Sequence, residues 1–308
     1  MSHFEFQPTP IEKHKGLSLE LGCNLFIKRD DLFTIAGGGS KARMLQYILY
    51  DAVVKKADYI LTAGGPYSNF NRALALMCGI LNLKMRLVIY DKNKHIGKVS
   101  LNKRICDLCE VEYVHCEPDE VKEVLEKQSE ILEQLGHRVY YIWGGGKSPQ
   151  GVQAYFDCIE EIATQIDFQP DIIFVPLGTG TTFSGLMLGS STYFPNCQVK
   201  GISVARDFDT AAPVVNQIIN EFQNHFTHSH IEYNLANNIV DSYTLGGYGC
   251  SSNQLDIFLK TLALRYGLIL DNIYVGKALF GLYQMVKEDK SYEGKNILFI
   301  NTGGIYNF

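Results

Sequence analysis

Four apolar, strand-like runs in this chain each end on glycine, and that shared ending constrains the fold more than any other feature. The runs are YILTAGGP (59–66), RVYYIWGGG (138–146), DIIFVPLGTG (171–180) and NILFINTGG (296–304). Glycines straight after a strand let the backbone turn sharply and approach a neighbouring segment or a ligand. Three of the four turns lead into helical patterns: NFNRALALMCGIL (69–81), QGVQAYFDCIEEIATQI (150–166) and TTFSG from residue 181. Between them lie further apolar runs, KMRLVIY (84–90), VEYVHC (111–116) and VKGISVA (199–205). The periodicity predicts a helix around Gly97–Leu108 and another opened by Pro118 and stopped at Gly136. Strand and helix in alternation predict an α/β fold with parallel sheets.

A first sheet runs from Tyr59, and a second begins at DIIFVPLGTG and ends with NILFINTGG. We expect two open, twisted parallel-sheet lobes, with a small α/β unit (51–165) inserted into a larger one (1–50 and 166–308). Ligands in open parallel sheets sit beyond the carboxyl ends of the strands. The four glycine turns are therefore expected to meet at one cleft.

Composition excludes several classes. With 46% hydrophobic and 20% charged residues, the 308-residue chain is too apolar for a disordered protein. A net charge of −5 argues against nucleic acid as a partner. No apolar run reaches the roughly 18 residues a membrane span needs. MSHFEFQPTP has no basic segment followed by an apolar stretch, so a cytoplasmic location and no membrane partner are expected. The eight cysteines read as reduced, small apolar residues. Cys106, Cys109, His115 and Cys116 have ligand-like chemistry, but their helix and strand context favours core packing, and no metal is expected.

Two segments carry chemistry. Gly178-Thr179-Gly180-Thr181-Thr182-Phe183-Ser184-Gly185 follows an apolar strand and enters a helix. Glycines expose backbone N–H groups, threonines add hydroxyls, and the helix N-terminus adds positive potential, a combination suited to phosphate. The loop is neither a Walker A motif, since no Lys-Ser/Thr pair ends it, nor GxGxxG. Lys41 follows Gly37-Gly38-Gly39-Ser40 at the start of a helix. Desolvation and backbone dipoles there favour the neutral amine, the form that attacks an aldehyde.

In order, GGGSK, GGPYSN, GTGTTFSG, GGYG, IYVGKA and NTGG resemble the D-cysteine desulfhydrase and 1-aminocyclopropane-1-carboxylate (ACC) deaminase family. That family has the tryptophan synthase β-like fold type II of pyridoxal 5'-phosphate (PLP) enzymes, and the likeness covers nearly the whole chain. The resemblance implies that Lys41 holds PLP as a Schiff base and later shuttles the Cα proton. It implies that Gly178, Thr179, Gly180, Thr181 and Thr182 cup the phosphate, and that Asn69 bonds the ring hydroxyl. Ser68 meets the substrate carboxylate or acts as a second catalytic group. Tyr248 and Tyr274 flank the substrate, polarising it or carrying a lowered tyrosine pKa. Thr302 faces the pyridine nitrogen, where a hydroxyl makes a weaker electron sink than a carboxylate and favours expulsion of a β-leaving group. A small amino-acid substrate and a homodimer are further implications.

Some positions depart from the family pattern: Ser40 for asparagine, Met44 for a basic residue and Phe70 for a polar one, with Tyr67 before Ser-Asn. Phe70 and Tyr67 predict a more aromatic pocket. Val275 stands where ACC deaminases carry an acid, which argues against efficient ring opening. The expected activity is α,β-elimination of D-cysteine to pyruvate, sulfide and ammonia. ACC deamination, another elimination or replacement, and a PLP-binding protein without turnover stand beside it. So does a nucleotide-binding α/β protein with no PLP.

Overall fold

The computed structural model describes residues 8–91, 100–226 and 231–307. The chain begins with strand β1 (Ile11–Lys13), helix α1 (Lys15–Leu21), strand β2 (Asn24–Arg29) and helix α2 (Gly39–Val54). Strand β3 (Tyr59–Gly64), α3 (Asn69–Ile80), β4 (Lys84–Ile89), α4 (Leu101–Leu108) and β5 (Glu112–His115) follow. Next come α5 (Val121–Gln134), β6 (Val139–Ile142) and α6 (Pro149–Gln165). The chain continues through β7 (Ile172–Leu177), α7 (Thr181–Tyr193), β8 (Gln198–Ser203), α8 (Phe208–Phe226) and β9 (Ile239–Val240). Helices α9 (Asn253–Tyr266) and α10 (Val275–Glu288) precede the last strand, β10 (Asn296–Asn301).

The α/β architecture with two sheets is as expected. One sheet has the order β5-β4-β3-β6 and is parallel throughout. The other has the order β1-β2-β10-β7-β8-β9, in which the first and last parts of the chain pair in parallel through β2 and β10. The edge strand β1 departs from a purely parallel sheet, running antiparallel to β2. The connection through α1 is shorter than the dozen or so residues that a parallel crossover requires. The helix expected from Pro118 starts at Val121, after a turn, and the start of the one around Gly97 lies outside the described residues until Ser100. Ser100 then caps α4 by accepting from the Lys103 amide at 3.2 Å. Among the described residues, no helix is long and apolar enough to cross a membrane.

Helix α6 connects the two sheets, packing against both α2 and α7. Gly185 and Gly189 of α7 make that contact close. A Cβ at Gly185 would lie 2.4 Å from the Val152 carbonyl, and one at Gly189 would lie 2.8 Å from that of Phe156. Behind this contact lies a buried cluster of charge. The Arg43 guanidinium on α2 pairs with Asp30 at 2.8 Å and with Glu161 of α6 at 2.6 Å. Lys28 of β2 pairs with Glu161 and donates to the Thr9 carbonyl and Gln165 Oε1, both at 2.7 Å. The Tyr155 hydroxyl donates to Asp30 at 2.6 Å. Burial alone pushes the Asp30 carboxyl upward, but the Arg43 guanidinium holds it below its ordinary range. Two cations and two carboxylates cancel one another while joining β2, α2 and α6.

Removing one partner from such a cluster leaves a buried charge uncompensated, which costs about 3–5 kcal/mol. Arg43→Met is expected to lose stability on that scale in urea unfolding, whereas Lys55→Met, whose ion pair with Asp51 is on the surface, loses less than about 1 kcal/mol. Equal losses for the two variants would contradict this account of the cluster.

Candidate active site

The glycines before α2 bring two chain segments together. Gly37, Gly38 and Gly39 all have positive φ, at 73°, 76° and 86°. A Cβ at Gly38 would lie 2.3 Å from the Asp31 carbonyl, and one at Gly39 would lie 2.8 Å from that of Thr302. Side chains are thus excluded twice over, by backbone conformation and by space. The Ser40 amide donates to the Thr302 carbonyl at 2.9 Å, joining the start of α2 to the end of β10. Lys41 then meets the glycine turn after β6, donating from Nζ to the Gly145 carbonyl at 3.0 Å. A Cβ on Gly145 would lie 2.8 Å from Cγ2 of Thr179, so this turn abuts the loop after β7.

These turns enclose a cavity of about 380 Å³. Lys41, Ser68, Asn69, Gly178, Thr179, Thr182, Tyr248, Tyr274 and Thr302 all line it. Gly180 and Thr181 do not. Gly180 is the N-cap of α7 with φ 101°, and a Cβ there would meet Val215 and Ile218 of α8 at 3.1 and 3.2 Å. The Thr181 hydroxyl is buried with no hydrogen-bond partner. The pocket is less aromatic than expected, because Phe70 lines it but Tyr67 does not.

Desolvation lowers the Lys41 amine from its ordinary 10.5 to about 8. Among the described residues, no carboxylate lines the cavity to favour the ammonium form. Ser68 caps α3 by accepting from the Asn71 amide at 3.2 Å. Asn69 is held by Asn102, whose side-chain amide donates to its Oδ1 at 3.2 Å and to the Tyr67 carbonyl at 3.0 Å. The Tyr248 and Tyr274 hydroxyls lie 2.8 Å apart, with the rings edge to face. Desolvation raises both phenols, opposite to the lowered tyrosine pKa expected from sequence. The pair therefore hydrogen-bonds as neutral phenols.

Arg206, Arg72 and Asp271 escaped the reading from sequence. Arg206 lines the cavity and donates to the Gly178 carbonyl at 3.0 Å. Its signal was a cation just past the strand run VKGISVA. Arg72 also lines the cavity, but its guanidinium lies over the Tyr306 ring at 4.3 Å and donates to Asn102 at 3.0 Å. Asp271 receives the amides of Ile273, Tyr274 and Val275 at 2.9, 2.6 and 3.1 Å, which fixes the start of α10. Its signal was an aspartate shortly before a helical run, a residue type that favours helix starts. Met44 and Val275 are fully buried in the hydrophobic core and bring no charge to the site. Among the described residues, no group of three or more His, Cys, Asp or Glu side chains is arranged to hold a metal, and Cys106 packs in the core.

This donor set fits a phosphate-bearing aldehyde. Helix α7 starts without a side-chain cap, so the N–H groups of its first turn remain available to an anion. The Lys41 amine, which lines the same cavity, supplies the nucleophile. Only the neutral amine reacts with an aldehyde, so capture of PLP by the apoprotein is expected to quicken as pH rises through about 8 and then level off. Stopped-flow absorbance across pH 6–11 checks this. A rate still climbing beyond pH 10, as for an ordinary lysine, would contradict the desolvated site.

Comparisons with known proteins agree with this chemistry. Residues 4–303 match the family model described as pyridoxal-phosphate dependent enzyme. A Pyrococcus horikoshii protein provisionally named ACC deaminase is 34% identical over 96% of this chain and 89% of its own length. A Yersinia pestis protein named D-cysteine desulfhydrase is 32% identical over 96% of this chain and 91% of its own. The crystal structure of an ACC deaminase homologue superposes with a TM-score of 0.88 at 32% identity, covering 98% of this chain and 90% of the other. An amine primed for an aldehyde, in one cavity with the start of an uncapped helix, suits such a cofactor, and the chain belongs to the pyridoxal-phosphate-dependent enzymes, in the branch of its ACC deaminase and D-cysteine desulfhydrase relatives.

Proposed function

We propose that this chain is a lyase that eliminates the β-substituent of a small amino acid, with D-cysteine as first substrate and pyruvate, sulfide and ammonia as products. The observation that carries the reading is the Lys41 amine, lowered to about 8 within a cavity that also holds the paired hydroxyls of Tyr248 and Tyr274. Bound PLP supplies the electron sink that makes the substrate's Cα–H acidic. Lys41 would hold the cofactor through Nζ, and the same Nζ would accept the substrate's Cα proton. A lysine with a lowered pKa suits that work near neutral pH.

The backbone amides at the start of α7, with the Thr179 and Thr182 hydroxyls, hold the phosphate, and those of Gly180 and Thr181 contribute through the main chain. Charge-assisted hydrogen bonds of this kind are worth roughly 1.5–3 kcal/mol each. Asn69 orients the ring hydroxyl, and Ser68 receives the substrate carboxylate. Tyr248 and Tyr274 flank the substrate's β-carbon and donate a hydrogen bond to the departing group. Thr302, which lines the cavity, would offer the cofactor ring a hydroxyl and no carboxylate, and a hydroxyl would limit the charge the ring can accept.

ACC deamination is the second reading, favoured by the names of several relatives. Against it stands Val275, apolar and fully buried directly after Tyr274. The reading further includes a unit of residues 51–165 inserted between the two halves of a larger one. The parallel sheet within 59–142 supports that division. A cytoplasmic homodimer completes it. The eight free cysteines fit a reducing compartment, and light scattering of the purified protein tests the dimer.

Purified holoenzyme is expected to release pyruvate and sulfide from D-cysteine faster than it releases keto acid from ACC or D-serine. Lys41→Ala is expected to abolish turnover, and Tyr274→Phe to lower kcat by about 10²–10⁴ if its proton is shared with the leaving group. Faster turnover of ACC would replace the proposed reaction. Full activity in Lys41→Ala would reject the mechanism.

A further inference from the structure

Lys277 is fully buried, yet the chemistry assigned to the cavity does not use it. Its ammonium donates to three backbone carbonyls: Val204 at 3.1 Å, Thr244 at 2.8 Å and Gly247 at 2.7 Å. A lysine has three donors, and here each finds one carbonyl. A buried ammonium without such partners would be costly, so the three contacts hold the surrounding backbone together as much as they satisfy the charge.

The carbonyls belong to a particular place. Thr244 and Gly247 open two successive turns, in which the Gly247 amide donates to the Thr244 carbonyl at 3.1 Å and the Cys250 amide to the Gly247 carbonyl at 3.3 Å. Tyr248 lies inside the second turn. The segment follows an unusual path, with positive φ at Leu245 (55°), Gly246 (96°), Gly247 (119°) and Gly249 (74°). Left-handed backbone at a leucine persists only where the surroundings impose it. Val204, the third acceptor, directly precedes Ala205 and Arg206 of the cavity wall. Lys277 also lies one helical turn beyond Tyr274 on α10. One side chain thus ties the helix start that carries Tyr274 to the loop that carries Tyr248.

We infer that Lys277 is a positioning residue that sets the Tyr248 hydroxyl against that of Tyr274, by clamping the 244–250 loop to the end of β8 through three carbonyls. The inference rests on the assignment of these tyrosines to the substrate.

Lys277→Met keeps the aliphatic stem and removes the donors. Lys277→Gln, which retains donors for part of the set, decides the matter if the methionine variant does not fold. In hydrogen exchange of the holoenzyme, the amides of Gly247 and Cys250 are expected to exchange at least about tenfold faster in the variant, while those of β7 and α7 keep their protection. PLP affinity, read by absorbance titration, is expected to stay within about threefold of wild type. Activity is expected to fall about as far as in Tyr248→Phe, and the double variant Lys277→Met/Tyr248→Phe to fall no more than about threefold below Tyr248→Phe alone. Multiplied losses, or unchanged exchange at 244–250, would overturn the clamp. If the wild-type enzyme eliminates from no amino acid tested, the proposed reaction fails, while the exchange measurement still decides whether Lys277 holds the loop.

Discussion

Four buried charges that cancel one another hold the helix on which everything at the site depends. Arg43 is two residues from Lys41, and its guanidinium is shared between Asp30 at the end of β2 and Glu161 on α6. Lys28 completes the set through Glu161. A hydrophobic cluster of the same volume could match its stability. The hydrogen bonds, however, are directional, and they fix the rotation and height of α2 against both of its neighbours. With α2 held in that way, the Lys41 amine reaches the Gly145 carbonyl in the turn after β6.

Burial then gives that amine its chemistry. Among the described residues, Lys41, Arg72 and Arg206 line the cavity and no carboxylate does. Burial disfavours the charged amine, and the two guanidiniums suit the anions of a phosphate and a substrate carboxylate. The same desolvation raises the two phenols, so Tyr248 and Tyr274 present protons rather than negative charge. A neutral-leaning base and a pair of neutral acids lining one cavity suit removal of a proton from one carbon and departure of a group from the next.

Much of this was legible in the sequence because its signals are local. A glycine turn after an apolar strand can be recognised within ten residues, and four of them located the site. Lys41 and the 178–182 loop were legible for the same reason. Apart from Asp271, whose contacts lie two to four residues on, the residues that were missed act over long separations. Asn102 holds Asn69 from a different helix, Arg206 reaches Gly178 from the next strand, and Lys277 binds carbonyls at 204, 244 and 247. No spacing rule foretells such contacts. Gly180 shows the converse limit: its motif does not reveal that α8 fills the space beside it and leaves no room for a side chain. The antiparallel β1 and the direction of the tyrosine shifts likewise depended on connection length and burial, which a linear pattern does not display.

The central claim is that one amine captures the cofactor. Reduction of the PLP-loaded protein with borohydride, followed by peptide mapping by mass spectrometry, tests it most directly. The account predicts a single phosphopyridoxyl group, carried on Lys41. A label on another lysine, or none on a protein that has been given PLP, would contradict it.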